Sequence, residues 1–210
     1  SDNSSDAKKV FVVDPATSVF SKDENVIVEY LQKNKLECVA VLLTHTHFDH
    51  IMGIAAIKKA FPNVKIAVHK DEAAELSSAP GRMNCDILSM FGMDFLIQAL
   101  SLLPCPDILL ENNINLSILS DDEDLKKELS KWKVIHTPGH TTGSICLYNK
   151  EKKILLSGDT IFDYGGYGRT DLYGGNESKI LKSIQHIKSI IEDGTIVYPG
   201  HDSIFTYERG

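Results

Sequence analysis

The sequence predicts an α/β domain that mixes strands and helices along its 210 residues. Three observations lead to this class. Cys38–Thr44 is a continuous apolar run, typical of a strand covered on both faces. Asp23–Asn34 carries apolar residues at helical spacing. The C-terminal half contains four further strand-like segments. Two packed sheets with helices outside fit this pattern, and other α/β layouts fit it as well.

The predicted elements follow one another from the N-terminus. The polar stretch SDNSSDAKK, residues 1–9, is predicted to be disordered or tag-like, and residues 10–210 form one domain. The first strand ends at the turn-forming pair Asp14-Pro15, and Ile114–Leu119 is predicted to be a strand because its apolar residues alternate. A Gly-rich loop spans Gly165–Gly175. The predicted strands are Lys9–Val13, Cys38–Thr44, Val64–Val68, Ile114–Leu119, Trp132–Thr137, Ser144–Tyr148, Lys153–Ser157 and Thr195–Tyr198, and the predicted helices are Asp23–Asn34, Ile51–Phe61 and Glu177–Glu192.

A helical insertion is predicted at about residues 72–106. It is rich in Met, Phe and Leu, most of which we expect in the core, with part of the segment forming a lid or one wall of a substrate pocket. Its most apolar part, Ile87–Leu103, is short for a bilayer span and is interrupted by Asp94 and Gln98. We therefore predict no membrane association.

The net charge of the chain indicates which partners to expect, and its cysteines indicate which cell compartment to expect. The formal net charge is −7, and an acidic surface repels phosphate backbones, so nucleic acid is not an expected partner. The four cysteines form no CxxC pair and are predicted to be reduced thiols. No signal peptide is visible, and these features together predict a cytoplasmic protein. They predict nothing about the oligomeric state.

Five of the eight histidines lie in three short segments that each follow an apolar strand. Loops at strand ends converge on one edge of a sheet, where binding sites usually form. Imidazole and carboxylate together are the ligands expected for zinc or a similar metal. These residues are His45, His47 and His50 in THTHFDH, His140 in HTPGH, and His201 in YPGH, with Asp159 in SGDT after a fourth strand.

The spacing within THTHFDH has a geometric reason. In an extended segment residues i and i+2 point to the same side, so His45 and His47 can bind one metal ion. Asp49 and His50 then come at the start of the following helix, where they can reach a second ion. The remaining histidines, His69, His136 and His186, are predicted to be structural.

The order THTHFDH, PGHT, GDT and PGH resembles the metallo-β-lactamase superfamily, from Val12 to His201. Within it the chain is most similar to single-domain glyoxalase II-like hydrolases, which share the stretch YGGYGRTDLYGG. The resemblance implies the four-layer αββα sandwich, with two mixed β-sheets flanked by helices.

The resemblance also implies a site for two divalent metal ions, most commonly zinc, with iron and manganese as alternatives. By matching positions, one ion would be held by His45, His47 and His140, and the other by Asp49, His50 and His201. Asp159 would bridge both ions together with a hydroxide that attacks a carbonyl carbon. Asp49 and Asp159 are the residues predicted to take part in catalysis. The implied reaction is hydrolysis of an S-2-hydroxyacylglutathione or of a related small thioester.

Residues of the Gly-rich loop are the predicted substrate contacts. Arg169 occupies a position similar to the one where glyoxalase II enzymes hold glutathione with a basic residue. Tyr167 and Tyr173 could line the same pocket. The alternative for Arg169 is a local ion pair with Asp171 that shapes the loop.

The sequence departs from the family pattern at both ends. The family usually has one more strand before Val12, where only SDNSSDAKK precedes the first strand here, so either the chain was trimmed or one sheet lacks an edge strand. Two-domain glyoxalase II enzymes add a C-terminal helical domain after the last ligand, and we expect that domain to be absent because the sequence stops at Gly210. Both differences weaken the prediction that glutathione is the thiol carrier. Neither difference affects the predicted metal ligands.

Alternative functions remain open at this stage. A persulfide dioxygenase with a single iron shares the GRTD stretch, and a non-catalytic metal-binding scaffold would bind metal without turnover. A β-lactamase of this superfamily is expected to be secreted.

Overall fold

A computed structural model describes residues 7–18, 20–77 and 81–209, and this part of the chain contains nine strands in two sheets. The strands are β1 (Lys8–Val13), β2 (Leu36–Leu42), β3 (Lys65–His69), β4 (Ile108–Leu110), β5 (Trp132–His136), β6 (Ile145–Asn149), β7 (Ile154–Gly158), β8 (Thr195–Pro199) and β9 (Phe205–Tyr207). The α-helices are α1 (Val26–Lys33), α2 (Phe48–Ile51), α3 (Ile54–Ala60), α4 (Arg82–Met90), α5 (Ile97–Leu100), α6 (Glu123–Leu129) and α7 (Glu177–Ile190).

The first sheet has the order β1-β2-β3-β4, and all its neighbours are parallel. The second sheet has the order β5-β6-β7-β8-β9 and is mixed, because only β7 and β8 pair in parallel. Strand β5 is antiparallel to β6 and β6 to β7, so β5, β7 and β8 point the same way. Their carboxyl ends therefore lie at one edge of the second sheet.

Alternation along β2 shows how the layers are arranged. Ala40 and Leu42 pack against the second sheet, in a core shared with Val134 and Leu147. Val41, from the opposite face of β2, packs in a separate core with α1, α3 and part of the insertion. The outer face of the second sheet is covered by α7. The result is helix, sheet, sheet, helix, which confirms the predicted αββα sandwich. The prediction that both sheets are mixed is wrong for the first sheet, whose strand pairs are all parallel among the described residues.

Helix α7 illustrates how local sequence sets an element. The side chain of Asn176 accepts a hydrogen bond from the backbone N–H of Lys179 and caps the helix at its start. Ile180, Ser183 and Ile187 are buried at spacings of three and four residues, so a single stripe faces the sheet.

The prediction of a strand at Ile114–Leu119 is wrong. Residues Leu116–Leu119 form a 3₁₀ helix, and the side chain of Asn115 accepts a hydrogen bond from the backbone N–H of Ser117 at 2.9 Å. Leu116 and Leu119 are buried while Ile118 is exposed. The apolar residues therefore follow a spacing of three, which the alternation in the sequence conceals.

Other segments differ from the prediction in extent. The predicted helix Ile51–Phe61 is divided into α2 and α3 by the turn at Met52 and Gly53. Strands β4 and β9 have three residues each and were not predicted, and neither was α6, which Asp122 caps. Residues 1–6 of the predicted disordered N-terminus lie outside the described residues, whereas Lys8 and Lys9 are not disordered but belong to β1.

The insertion between β3 and β4 is built of short helices. It contains the 3₁₀ helix Lys70–Glu75, then α4, the 3₁₀ turn Asp94–Leu96 and α5. Among the described residues, no helix combines the length and the apolar character that crossing a bilayer requires.

Candidate metal centre

The carboxyl ends of four strands converge at one edge of the sandwich and carry the predicted ligands. His45 and His47 follow β2, His140 follows β5, Asp159 follows β7 and His201 follows β8. The two sheets are joined at this edge by a backbone hydrogen bond of 2.9 Å from Ile145 to the carbonyl of Thr44. Ligands from distant parts of the sequence are thereby brought to one place.

Three histidines form one half of the centre. The imidazole rings of His45 and His47 lie 4.8 Å apart, and the ring of His140 lies 4.4 Å from that of His47. All three side chains are buried, and one ring nitrogen of each lies within 4.8 Å of the others. This arrangement fits three ligands of a tetrahedral metal ion.

A second set of ligand atoms comes from α2 and from the turn after β8. The helix places Asp49 and His50 next to each other, with 4.0 Å between Asp49 Oδ2 and His50 Nε2. His201 Nε2 lies 3.2 Å from the same carboxylate oxygen. His50 is buried, whereas His201 and Asp49 are 49% and 39% exposed, so this half of the centre faces the solvent.

Asp159 lies between the two sets. Its Oδ2 is 3.2 Å from His140 Nε2 and 3.5 Å from His201 Nε2, and its Oδ1 is 3.4 Å from His50 Nε2. The carboxylate thus reaches ligand atoms of both halves, as a bridging ligand must.

Hydrogen bonds behind the rings fix which nitrogen faces the centre. His50 Nδ1 donates to the carboxylate of Asp14 at 3.1 Å, and His140 Nδ1 donates to the backbone carbonyl of Arg169 at 2.7 Å. The hydroxyl of Thr44 donates to Asp14 at 2.5 Å and accepts from His45 Nδ1 at 3.0 Å. Since these Nδ1 atoms carry the proton, the Nε2 lone pairs point inward as ligands.

From the sequence, Asp14 is predicted only as part of the turn that ends the first strand. In the structure it contacts both the ring of His50 and Thr44. Its position after β1, at the same edge as the other strand ends, is the feature from which this role could have been predicted.

Several buried polar atoms in the centre lack a hydrogen-bond partner. Burying such atoms is costly unless a partner or an ion compensates. These atoms point toward the same space and are all able to donate a lone pair, so the donor set fits one or two divalent cations. They are Nε2 of His45, His47, His50 and His140, and Oδ1 of Asp159.

Burial sets the protonation of the three-histidine half. It lowers the pKa of His45 and of His47 well below the usual value, with neighbouring histidines adding to the effect. Burial also lowers the pKa of His140. These rings are neutral near pH 7, which is the form that binds a metal.

The other half contains paired charges. Burial opposes ionisation of Asp49, but the hydrogen bond from His201 and nearby histidines hold the pKa of this carboxyl at about 2. Burial would lower the pKa of His50, but the hydrogen bond and charge of Asp14, together with the other carboxylates, raise it to about 9. The hydrogen bond with Asp49 raises the pKa of His201, and burial raises the pKa of Asp159.

Gly200 permits a close approach beside the ligands. A Cβ atom at this position would lie 2.2 Å from Asp159 Oδ1 and 2.7 Å from His50 Cε1. Any larger residue would displace a ligand, so PGH requires its glycine here.

A pocket of about 280 Å³ opens onto both halves of the centre. Ile87 of α4 and Phe91, which follows the helix, line it, which supports the prediction that the insertion supplies a wall. Phe162, Arg169 and Leu172 line it as well. A second cavity of about 360 Å³ reaches only the Asp49, His50 and His201 side, so the smaller pocket is the better place for a substrate.

The predicted substrate residues have different positions. Arg169 lines the pocket, yet its guanidinium also forms a two-point ion pair with Asp171, with both N–O distances 2.7 Å. Tyr167 and Tyr173 do not line it, and the ring of Tyr173 instead packs under the guanidinium of Arg82 at 4.7 Å. The structure therefore brings only Arg169 of the three to the pocket.

Two of the histidines predicted to be structural form a stacked pair away from the ligands. His69 and His136 lie with ring centroids 4.1 Å apart and planes at 13°. His186 is on the exposed side of α7.

Comparison with known proteins agrees with this fold. The sequence profile of the metallo-β-lactamase superfamily matches residues 5–201. The chain is 31% identical over 176 residues to the probable metallo-hydrolase YqgX of Bacillus subtilis, covering 83% of this chain and 74% of the relative. It is 26% identical over 200 residues to a hydroxyacylglutathione hydrolase of Francisella tularensis subsp. novicida, covering 94% of this chain and 60% of that enzyme. The chain belongs to the metallo-β-lactamase superfamily.

Two solved structures are similar over most of their length. The B3 metallo-β-lactamase BLEG-1 matches with a TM-score of 0.72 and 27% identity, covering 96% of this chain and 85% of that one. TTHA1623 in a di-iron-bound form matches with a TM-score of 0.64 and 26% identity, covering 92% and 82%. Within its family the chain is a metallo-hydrolase whose His and Asp side chains suit divalent ions.

Proposed function

We propose that this protein hydrolyses a small thioester, of the S-2-hydroxyacylglutathione type, at a centre of two divalent metal ions. The observation that carries the proposal is the position of Asp159. Its Oδ2 lies 3.2 Å from His140 Nε2 of one set and 3.5 Å from His201 Nε2 of the other, and its Oδ1 lies 3.4 Å from His50 Nε2. The relative named hydroxyacylglutathione hydrolase supports the substrate class. Zinc is the metal we propose first, and the di-iron form of a structural neighbour makes iron the main alternative.

Bound divalent ions would lower the pKa of a shared water and polarise a carbonyl oxygen. In the overall reaction the water oxygen bonds to the acyl carbon, the carbon–sulfur bond breaks, and an acid and a thiol are released. The neutral imidazoles of His45, His47 and His140 would hold one ion, and Asp49, His50 and His201 would hold the other. Asp14 keeps the Nδ1 proton of His50 in place, so that its Nε2 remains a ligand atom.

The leaving group is the reason to favour a thioester. With a pKa of about 2, Asp49 is ionised near neutral pH and carries no proton to donate. An amide nitrogen requires protonation before it leaves, whereas a thiolate needs little help. Because the Asp49 carboxylate in the pocket lining is ionised, it cannot protonate a leaving group. The site therefore suits a thioester better than an amide.

Arg169 supplies the proposed contact with the thiol carrier. Arg169 lines the pocket, with its guanidinium carbon 5.9 Å from the centre of the Phe91 ring, and its nitrogen Nη1 lies outside the two-point pair with Asp171. A carboxylate on the carrier could bind at this side of the pocket. The backbone carbonyl of Arg169 holds His140, but a side-chain substitution leaves that bond intact.

The test is a thioester assay with S-D-lactoylglutathione on protein loaded with zinc or iron. We expect turnover, and we expect Arg169→Ala to raise KM with little change in kcat, because the contact is the same in the ground and transition states. Arg82→Ala is the matched control, since Arg82 contacts Tyr173 and Asp86 and does not line the pocket. Equal effects of both substitutions would contradict the role of Arg169.

Parallel assays separate the alternative activities. The likeness to BLEG-1 favours β-lactam hydrolysis as the second candidate, which a chromogenic lactam measures. Oxygen uptake with glutathione persulfide and a single bound iron, without thioester turnover, would replace the hydrolase with a dioxygenase. Metal binding without turnover of any of these substrates would leave a metal-binding scaffold.

A further inference from the structure

Glu72 is a buried carboxylate outside the ligand set. It lies in the 3₁₀ helix Lys70–Glu75 at the start of the insertion, and its side chain is 1% exposed. Burying a carboxylate is costly unless its oxygens accept hydrogen bonds. The partners of Glu72 therefore indicate what it does in the fold.

Both oxygens of Glu72 bind loops that carry metal ligands. Oε2 accepts from the backbone N–H of Thr46 at 3.1 Å and from its hydroxyl at 2.5 Å. Oε1 accepts from the backbone N–H of Gly143 at 2.8 Å. Thr46 lies between His45 and His47, and Gly143 lies three residues after His140.

The contact with Thr46 leaves that residue little freedom. Its carbonyl accepts a hydrogen bond of 2.7 Å from the side chain of Asn84, which is also buried and belongs to α4. The N–H, hydroxyl and carbonyl of Thr46 are thus all held by the insertion. The same helix supplies Ile87 to the pocket wall, and Phe91 directly after it lines the pocket too.

The contact with Gly143 depends on close packing. A Cβ atom on Gly143 would lie 2.5 Å from Glu72 Cγ. The loop of His140 therefore approaches the glutamate more closely than a residue with a side chain would permit.

We propose that Glu72 is a positioning residue that sets the separation between the His45–His47 turn and His140, and thereby the geometry of the three-histidine metal site. The inference rests on the metal centre of the proposed function and not on its substrate. Outer partners of metal ligands orient them and raise metal affinity. Here one carboxylate does so for two ligand loops through their backbones.

The chemistry of the three donors explains why the residue is a glutamate. A carboxylate accepts at both oxygens and has no proton to place against a donor. A glutamine would direct an NH₂ group at one of the donors, Thr46 or Gly143, and an aspartate is one methylene too short to bind both loops.

The experiment is a titration of metal-free protein with Co²⁺, followed by its visible absorption and by competition with a chelator. Glu72→Gln is expected to weaken the binding of one ion by about 10–100-fold and to change the absorption of the site formed by His45, His47 and His140. The affinity for the ion bound by Asp49, His50 and His201 should fall less. Glu75→Gln is the matched control, because Glu75 lies in the same 3₁₀ helix and contacts Met83 rather than a ligand loop.

A second variant tests the same contact in case the Glu72→Gln variant does not fold. Thr46→Val removes a single donor to Glu72 and keeps the shape of the side chain, and it should weaken the same ion by about tenfold. Thr46→Ser, which restores the hydroxyl, should recover most of the affinity. Thermal unfolding of each metal-free variant shows whether the fold is retained.

The outcomes distinguish this inference from the proposed function. Wild-type Co²⁺ affinity in Glu72→Gln and Thr46→Val, or an equal loss in Glu75→Gln, would overturn the positioning role. A wild-type chain that binds no Co²⁺ would overturn both proposals. Normal Co²⁺ binding with the expected variant effects, but no thioester turnover, would overturn only the substrate.

Discussion

Asp159→Asn tests the metal centre most directly, because it removes one charge while keeping the shape of the side chain. The carboxylate oxygens lie 3.2 Å from His140 Nε2 on one side and 3.4 Å from His50 Nε2 on the other. An asparagine keeps only one oxygen and replaces the other with an NH₂ group, which does not bind a metal ion. We expect one ion to be lost first and the second to be weakened.

The size of the effect follows from Coulomb's law. A ligand oxygen lies about 2.1 Å from a zinc ion. At that distance one negative charge attracts a divalent cation by about 4 kcal/mol even with the dielectric constant of water. This corresponds to roughly a thousandfold in affinity. Burial of Asp159, which is 6% exposed, strengthens the attraction and also raises the cost of removing the charges from water, so a thousandfold is the expected order of magnitude.

The assay is metal content after dialysis, with thioester turnover measured on the same samples. The Asp159→Asn variant should hold fewer than two ions and lose activity. Without metal, the variant should be no less stable at pH 7 than the metal-free wild-type protein. Burial raises the pKa of Asp159, so the ionised form is disfavoured in the folded metal-free state and its removal should not destabilise that state.

Asp163→Asn is the matched control, since Asp163 is four residues away and accepts a hydrogen bond from the backbone N–H of Tyr164. Two ions bound by Asp159→Asn with wild-type affinity would refute the bridging role and the ligand set built around it.

Two further predictions address neighbouring residues. Gly200→Ala should lower metal content and activity by displacing Asp159 or His50, whose atoms lie 2.2 and 2.7 Å from the added Cβ, and normal metal content would contradict this packing argument. His69→Gln should reduce the acid sensitivity of folding. Burial and the adjacent His136 lower the pKa of His69 from 6.5, so its contribution to stability is complete above pH 6.5 and is lost as the pH falls through the folded-state pKa. The drop in Tm between pH 7.5 and 5.5 should be smaller in the variant than in wild type. Equal drops would contradict the inference that His69 loses stabilising free energy as the pH falls.

The sequence by itself determined the fold class and the positions of the candidate ligands. Five of the seven candidate ligands lie within five residues of a strand end, and Asp49 and His50 lie in the short helix α2 after β2. Strands such as β2 are visible as apolar runs. The spacing of His45 and His47 follows from the two-residue repeat of extended chain, which is a local property. Local rules also placed α7 and the insertion.

Prediction from local sequence patterns failed for short segments whose conformation depends on tertiary contacts. Residues Leu116–Leu119 alternate in hydrophobicity, but the Asn115 side chain turns the backbone and the buried faces of Leu116 and Leu119 match the core at a spacing of three. Strands β4 and β9 are three residues long and exist because neighbouring strands offer hydrogen bonds.

Only the tertiary structure decided how the ligands are supported and where a substrate can bind. Asp14 and His50 are 36 residues apart, and Glu72 and Gly143 are 71 apart, so no periodicity links them. Their contacts depend on strand order, which brings the ends of β1, β2, β3 and β5 to one edge. The pocket likewise selects Arg169 and not Tyr173, because side-chain direction in an irregular loop is set by packing against α4 rather than by sequence spacing.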